Sequence, residues 1–189
     1  MAINVFDPCK KCDIPEEVVD AICEVGMPNP ISAEELKVAM TIKDSGARRE
    51  FETGAVRDIQ EGKGRCDLLP LDVVADYLDN SGLGDIAGFQ RTGDLTYLYD
   101  VLTSFTGFED DATMILEVSK HFEEGAKKYG EYNWQKGIPT HCYIDSAVRH
   151  YLKYLRGDED EPHDRAFVWN ILCCIWTCEH KPELNDYKK

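Results

Sequence analysis

Residues 143–177 read YIDSAVRHYLKYLRGDEDEPHDRAFVWNILCCIWT, and this segment carries most of the information on the fold. Apolar side chains recur every three or four positions from Tyr143 to Leu155 and again from Ala166 to Trp176, which predicts two helices. An acidic run ending in Pro162 separates them, and Pro early in a helix with acids before it is typical of a helix start.

The same spacing extends outward over the chain. It recurs in residues 71–78, 95–102 and 114–122, whereas few stretches alternate with period two and none gives a hairpin signal. Further helices are predicted from Pro15 to Val25 and after Ser32. Loops are predicted at residues 45–46, 61–64, 79–93 and 130–140. With 189 residues, of which 43% are hydrophobic, the chain is long enough for a core of its own, and we predict an all-α protein.

The charge of the chain is strongly negative, with 21 Lys and Arg against 36 Asp and Glu and a net charge of -15. Such a chain is repelled by long nucleic acids and anionic membranes, so we expect neither as a partner. The charge is banded, however. Residues 41–65 and 119–156 are neutral to basic, whereas the rest is acidic. A small phosphate ligand therefore remains compatible with the charge.

The chain shows no apolar run of membrane-spanning length and no secretory signal, so we expect a cytoplasmic protein. In that compartment its eight Cys should be thiols, and the three between residues 173 and 178 should be small buried hydrophobes. Cys9 and Cys12 have the spacing of half a structural zinc site, with Cys23 as a third ligand. The pattern is incomplete, because no second pair follows at the usual spacing.

A first group of candidate site residues lies in the segment GAVRDIQEGKGR, residues 54–65. Its small residues allow a ligand to approach the backbone, and Arg57, Lys63 and Arg65 offer charge-assisted hydrogen bonds to phosphate. The spacing is not that of a Walker A loop. The alternative is a basic surface loop.

A second group lies on the helix that ends near residue 129 and in the loop after it. Glu124 shares a helical face with Lys128, and Glu123 and Lys127 form a neighbouring row. Such carboxylates suit Mg²⁺, although a solvated face with ion pairs is the alternative. Trp134 or Tyr129 could stack on a base, and Asn133 could bind its edge. The other interpretation is a helix end at Gly130 with Trp134 closing the core, and the two are compatible.

A third group surrounds the acidic run. Asp145, Arg149 and Lys153 share one row of a helix, where simple salt bridges are the alternative, and His150 is more typical of a buried core histidine. Glu161 and Asp164 lie one turn apart, as carboxylates that hold a cation would. His163 and Asn170 fall on an otherwise apolar stripe, which is costly unless both are partnered. The alternative here is an acidic helix cap.

Three motifs in order, FETGAVRDIQEGKGRCDLLP, HFEEGAKKYGEYNWQKGIP and the segment quoted first, resemble the phage and bacterial dATP/dGTP diphosphohydrolase family of MazG-like all-α enzymes. The resemblance covers residues 51–78 and 117–177. It implies a MazG-like helical bundle and hydrolysis of a deoxypurine nucleoside triphosphate to monophosphate and pyrophosphate, dependent on Mg²⁺ or Mn²⁺. A dimer or tetramer is implied by the resemblance alone, as is the host cytoplasm as location if the protein is phage-encoded.

The resemblance also implies roles for individual residues. The catalytic residues would be Glu124, Glu161 and His163. The metal ligands would be Glu123, Glu124, Asp160, Glu161 and Asp164. The substrate would be bound by Arg57, Lys63, Arg65, Lys127, Lys128, Asn133, Trp134, Arg149, His150 and Asn170.

The chain departs from the MazG-like pattern, in which ExxE on one helix is followed by ExxD on the next. Here the first half reads His121-x-x-Glu124, and the second is Glu161-x-x-Asp164 after a longer gap. We predict an N-terminal appendage at residues 1–40 and a nucleotide hydrolase domain at residues 41–189, with a helical insertion at 79–113. The rival function is a protein that sequesters a nucleotide or cyclic nucleotide without cutting it, as a counter-defence sponge would.

Overall fold

A computed structural model describes residues 46–188 of the chain. The predicted N-terminal helices and the cysteine pair at Cys9 and Cys12 lie outside these residues. Within them, a hairpin of two strands precedes six helices. The strands are β1 (Arg48–Glu50) and β2 (Val56–Asp58). The helices are α1 (Leu71–Leu78), α2 (Ser81–Thr92), α3 (Thr96–Ser104), α4 (Asp111–Tyr129), α5 (Thr140–Arg156) and α6 (His163–His180).

The two helices predicted from residues 143–177 form the centre of the fold. Helices α5 and α6 pack against each other more extensively than any other pair of the described elements, and α4 and α3 pack on α6. Helix α6 is buried around most of its circumference, as expected for a central helix. Cys173, Cys174 and Cys178 are buried free thiols within it, which confirms their predicted role as small hydrophobes.

The structure confirms the all-α prediction but corrects one of the predicted loops. Residues 81–92 form helix α2, whereas their three glycines and the polar residues around them had favoured a loop over 79–93. The helix forms because Asn80 accepts a hydrogen bond from the backbone of Leu83 (2.9 Å) and because its apolar face is buried. Gly88 permits close packing, since a Cβ there would lie 2.5 Å from the ring of Tyr97.

The hairpin of β1 and β2 was not predicted from the sequence. Its strands are three residues long and pair antiparallel, with Arg49 opposite Arg57. Their charged composition gives no apolar alternation, so no strand signal exists in the sequence. The pairing is stabilised from outside by α4, α5 and the loop between them, as described below.

None of the helices within residues 46–188 is long and apolar enough to cross a membrane.

Candidate functional site

A cavity of about 920 Å³ lies between the hairpin, α4, α5 and the beginning of α6. This volume falls in the range of sites for small molecules. Ten of the predicted site residues line the cavity: Arg57, Lys63, Glu123, Asn133, Trp134, Arg149, His150, Asp160, Glu161 and Asn170. The cavity is called the central pocket below.

Arg57 connects the hairpin to both central helices. Its guanidinium donates hydrogen bonds to the carbonyl oxygen of Cys142 (3.2 Å), to Oγ of Ser146 (3.2 Å) and to Oδ1 of Asn170 (2.9 Å). Hydrogen bonds from a charged donor are among the stronger ones in proteins. Arg57 and Asn170 therefore hold the wall of the central pocket together, in addition to facing its interior.

Asn133 fixes the second strand of the hairpin. Its Nδ2 donates to the carbonyl oxygen of Val56 (2.8 Å), and its Oδ1 accepts from the backbone N–H of Val56 (2.9 Å). The side-chain amide thus pairs with the strand as a third strand would. One donor and one acceptor of this amide are used by the fold itself, which leaves fewer groups for a ligand than the sequence suggested.

Cationic side chains occupy one wall of the central pocket. Lys63 is exposed there and forms no ion pair with any residue from 46 to 188. Partial desolvation lowers the pKa of its ammonium, and the neighbouring charge of Arg149 adds to this shift. Lys153 also lines this wall, and its Nζ lies 3.3 Å from Oδ2 of Asp160. The wall can therefore accept an anion.

Asp145, which is 1% exposed, organises this wall. Its carboxylate accepts hydrogen bonds from Nε2 of Gln60 (2.8 Å) and from the backbone N–H of Cys66 (2.7 Å), and it forms an ion pair with Arg149. Arg149 in turn donates to the carbonyl oxygen of Lys63 (3.3 Å). A single buried carboxylate therefore positions the loop that carries Lys63 against the side chain of Arg149.

Carboxylates and imidazoles meet at the start of α6. Nδ1 of His150 lies 3.0 Å from Nδ1 of His163, and Oε1 of Glu161 lies 3.7 Å from both atoms. On its other side, Nε2 of His163 lies 2.6 Å from Oδ1 of Asp160. Burial lowers the pKa of His150 well below its usual value, and the nearby His163 adds to the effect. Residues predicted to act separately are thus brought into one cluster.

Aromatic rings also line the central pocket. The ring of Phe122 lies 5.5 Å from that of Trp134 and 5.8 Å from that of Trp169, and the guanidinium of Arg57 lies over Trp169. His121 stacks obliquely on Trp169, and burial lowers the pKa of its imidazole to about 3. The imidazole of His121 therefore stays uncharged over the ordinary pH range, so the rings present an aromatic surface on which a flat ring can stack. The core-closing role predicted for Trp134 is confirmed, since it also packs on Trp176.

Three of the predicted acidic and histidine residues lie outside the lining of the central pocket. Glu124 forms an ion pair with Arg165 (2.8 Å), a residue that is 3% exposed. Nε2 of His163 lies 2.6 Å from Oδ1 of Asp160. Asp164 lies in the first turn of α6, where its carboxylate accepts the backbone N–H of Arg165 (2.7 Å). The metal and catalytic roles of these three residues remain predictions.

Three of the predicted cations also lie outside this lining. Arg65 forms a two-point contact with the carboxylate of Asp67, and Lys127 pairs with Glu123 on the exposed face of α4. Lys128 lies 2.8 Å from Asp58, which Tyr129 also contacts at 2.8 Å. Their substrate-binding roles remain predictions, to be separated from structural roles by experiment.

Asp58 makes the acid stability of the hairpin testable. Burial alone would raise the pKa of its carboxyl. Hydrogen bonds from Lys128 and Tyr129 and the charge of Lys128 outweigh this effect, so the pKa lies below the usual value of 3.8. A carboxyl with a lowered pKa adds stability above its unfolded-state pKa, and this stability is lost as the pH falls through the folded-state value. We expect D58N to be less stable than the wild type at pH 7 but to lose less stability between pH 5 and pH 2.

The measurement is urea denaturation across this pH range, with D76N at an exposed position of α1 as the control. Equal acid-induced losses of unfolding free energy in D58N and the wild type would contradict the assignment.

Two residues of the site region have roles that sequence reasoning missed. Asp145 was interpreted only as a helix salt bridge, because its partners Gln60 and Cys66 are about 80 positions away in sequence. Arg165 carried no signal at all, since nothing in its spacing indicates a buried pair with Glu124. The row formed by Asp145, Arg149 and Lys153 pointed to this wall, as did the segment 54–65 that carries Lys63.

Fold and pocket together define an all-α protein with a large cavity that joins aromatic, cationic and carboxylate walls. The model of a family described as dATP/dGTP diphosphohydrolase, N-terminal, matches residues 98–187. This match confirms the family resemblance predicted from the sequence motifs, and it supports a hydrolase. No curated protein and no solved structure matches the chain significantly.

Proposed function

We propose that the protein hydrolyses a purine deoxynucleoside triphosphate to the monophosphate and pyrophosphate in the central pocket. The observation that carries this proposal is the composition of one cavity: the cations Lys63 and Arg149, the carboxylates of Asp160 and Glu161, and aromatic rings all line it. A triphosphate needs cations and a carboxylate-bound metal at one end and a flat surface at the other. The family match to dATP/dGTP diphosphohydrolases supports the same substrate class.

The residues present fit a divalent cation, because Asp160 and Glu161 both line the central pocket and the ring nitrogens of His150 and His163 lie beside them. When bound, such a cation supplies charge neutralisation of the triphosphate and a more acidic water molecule. Lys63 and Arg149 would then hold phosphate oxygens as negative charge develops during bond cleavage. His163, predicted as catalytic, would act together with Asp160, since its Nε2 lies 2.6 Å from Oδ1 of that carboxylate.

Lys63 gives a direct test of the phosphate-binding wall. We expect K63M to lower kcat/KM about 10- to 100-fold, because one charge-assisted contact to a phosphate is lost. The matched control is K127M, whose lysine was also predicted to bind substrate but is 70% exposed and does not itself line the central pocket. Steady-state kinetics with dATP and dGTP would measure both. An equal loss in the two variants would contradict the placement of the phosphates beside Lys63.

A second candidate function is binding without cleavage, and one observation favours it. Glu124, the remaining acid of the first predicted motif, is paired with Arg165 and does not line the central pocket. Fewer carboxylates then face a ligand than the motif implied. Incubation with each deoxynucleoside triphosphate and Mg²⁺ or Mn²⁺ separates the two functions. Release of pyrophosphate supports the hydrolase, whereas intact nucleotide recovered from the protein supports sequestration.

A further inference from the structure

The cluster of His150, Glu161 and His163 has the geometry of ligands around one ion. The two Nδ1 atoms lie 3.0 Å apart and each is 3.7 Å from Oε1 of Glu161, so a point equidistant from the three atoms lies about 2.0 Å from each. This is the bond length between a divalent transition metal and imidazole nitrogen or carboxylate oxygen. The 3.7 Å separations are too long for hydrogen bonds but match atoms that share an ion.

The hydrogen bonding around His163 prepares its Nδ1 as a ligand. Nε2 of His163 lies 2.6 Å from Oδ1 of Asp160, so in the neutral imidazole Nε2 carries the proton and donates it to that carboxylate. Nδ1 then presents a lone pair toward His150 and Glu161. A carboxylate that orients a histidine through its distant ring nitrogen is the usual arrangement behind metal-bound histidines. Lys153 lies 3.3 Å from the other oxygen of Asp160.

Burial supports the same interpretation. His163 is 2% exposed, and the side chains of His150 and Glu161 are 17% and 13% exposed. Three convergent ligand atoms are thus largely shielded, while His150 and Glu161 still line the central pocket. An ion among them would be held by the protein and remain open to the cavity on one side, as catalytic metal sites require.

We propose that His150, His163 and Glu161 form a site for a divalent transition metal ion, with Asp160 as a positioning residue. Two nitrogens and one oxygen favour ions such as Zn²⁺, Fe²⁺, Co²⁺ or Mn²⁺ over Mg²⁺, which prefers oxygen ligands. Of the three, only Glu161 belongs to the carboxylate ligands implied by the sequence resemblance. A role of this ion in hydrolysis rests on the proposed function, whereas binding of the ion can be measured without substrate.

The test uses the full chain in a C9S/C12S background, because the thiols of that pair would compete for the metal. After removal of metals with a chelator, the protein is titrated with Co²⁺, and bound metal is measured by elemental analysis and by the visible absorption of bound Co²⁺. We expect about one equivalent per chain, with binding retained in the presence of excess Mg²⁺. If this protein, in which His150, Glu161 and His163 are unchanged, binds no Co²⁺, the proposal is wrong.

Variants assign the site to its residues. H150Q and E161Q should each lose the Co²⁺ absorption, and D160N should weaken the affinity about 10- to 100-fold. The control is H180Q, since His180 is exposed at the other end of α6, where its Nδ1 lies 2.9 Å from the carbonyl oxygen of Trp176. Circular dichroism checks that each variant is folded. If H150Q and E161Q are both folded and both retain the absorption, the proposal is wrong.

The two proposals fail separately. Bound Co²⁺ without hydrolysis of any deoxynucleoside triphosphate would leave the metal site standing and contradict the hydrolase. Hydrolysis with Mg²⁺ by a wild-type chain that binds no Co²⁺ would do the reverse.

Discussion

The variant E161Q is expected to lower kcat/KM for nucleoside triphosphate hydrolysis about 100- to 1,000-fold while the fold survives. Glu161 lines the central pocket, is 13% exposed, and is the only residue predicted as both catalytic and metal-binding whose side chain faces the cavity. Gln has nearly the same shape but no charge, so it binds a metal weakly. Loss of a metal that stabilises transition-state charge by several kcal/mol accounts for a change of this size.

The matched control for this prediction is E159Q, which removes one charge from the same acidic run at an exposed position. It should change kcat/KM less than about 3-fold, because an exposed charge is screened by solvent and salt. Thermal melts of both variants confirm folding. Wild-type kinetics in a folded E161Q would exclude Glu161 from the reacting centre.

The variant D145N is expected to cost about 2–4 kcal/mol of unfolding free energy and to lower Tm by roughly 5–15 °C. Asp145 is 1% exposed. It accepts hydrogen bonds from the backbone of Cys66 and the amide of Gln60 and forms an ion pair with Arg149. The neutral amide loses the ion pair and turns an NH₂ group toward donors. Arg149 is 17% exposed and regains some water, which keeps the cost below that of a fully buried pair.

Differential scanning calorimetry measures this change, with D100N on the exposed surface of α3 as the control, for which a change within about 0.5 kcal/mol is expected. D145N should also weaken substrate binding, since the loop that carries Lys63 is anchored by this carboxylate. A Tm within 2 °C of the wild type would contradict the organising role of Asp145.

The sequence predicted the helices well because their apolar periodicity records which face is buried. It failed at residues 81–92, where Gly88, which admits the ring of Tyr97, and two further glycines look like loop residues until the neighbouring helix is known. It also failed at the hairpin, whose pairing depends on Asn133 far along the chain. Local spacing records local burial, whereas these two features depend on contacts between distant segments.

The candidate site shows the same division. Lys63, Arg149 and Glu161 were selected by residue type and motif, and all three line the central pocket. The roles of Asp145 and Arg165 depend on partners in other elements, which no single helix face reveals. The convergence of His150 with His163 depends on how α5 and α6 cross, so the spacing of either helix alone could not indicate a shared ion.

The bonds of Arg57 have a consequence for how the chain can be divided. This side chain ties the hairpin to α5 and α6, so one wall of the cavity comes from residues before position 66, whereas the family match begins at residue 98. A fragment limited to the matched region would lack that wall. Conversely, a ligand that spans both walls would resist their separation, so occupancy and global unfolding are thermodynamically linked, and saturating nucleotide should raise the melting temperature of the intact chain.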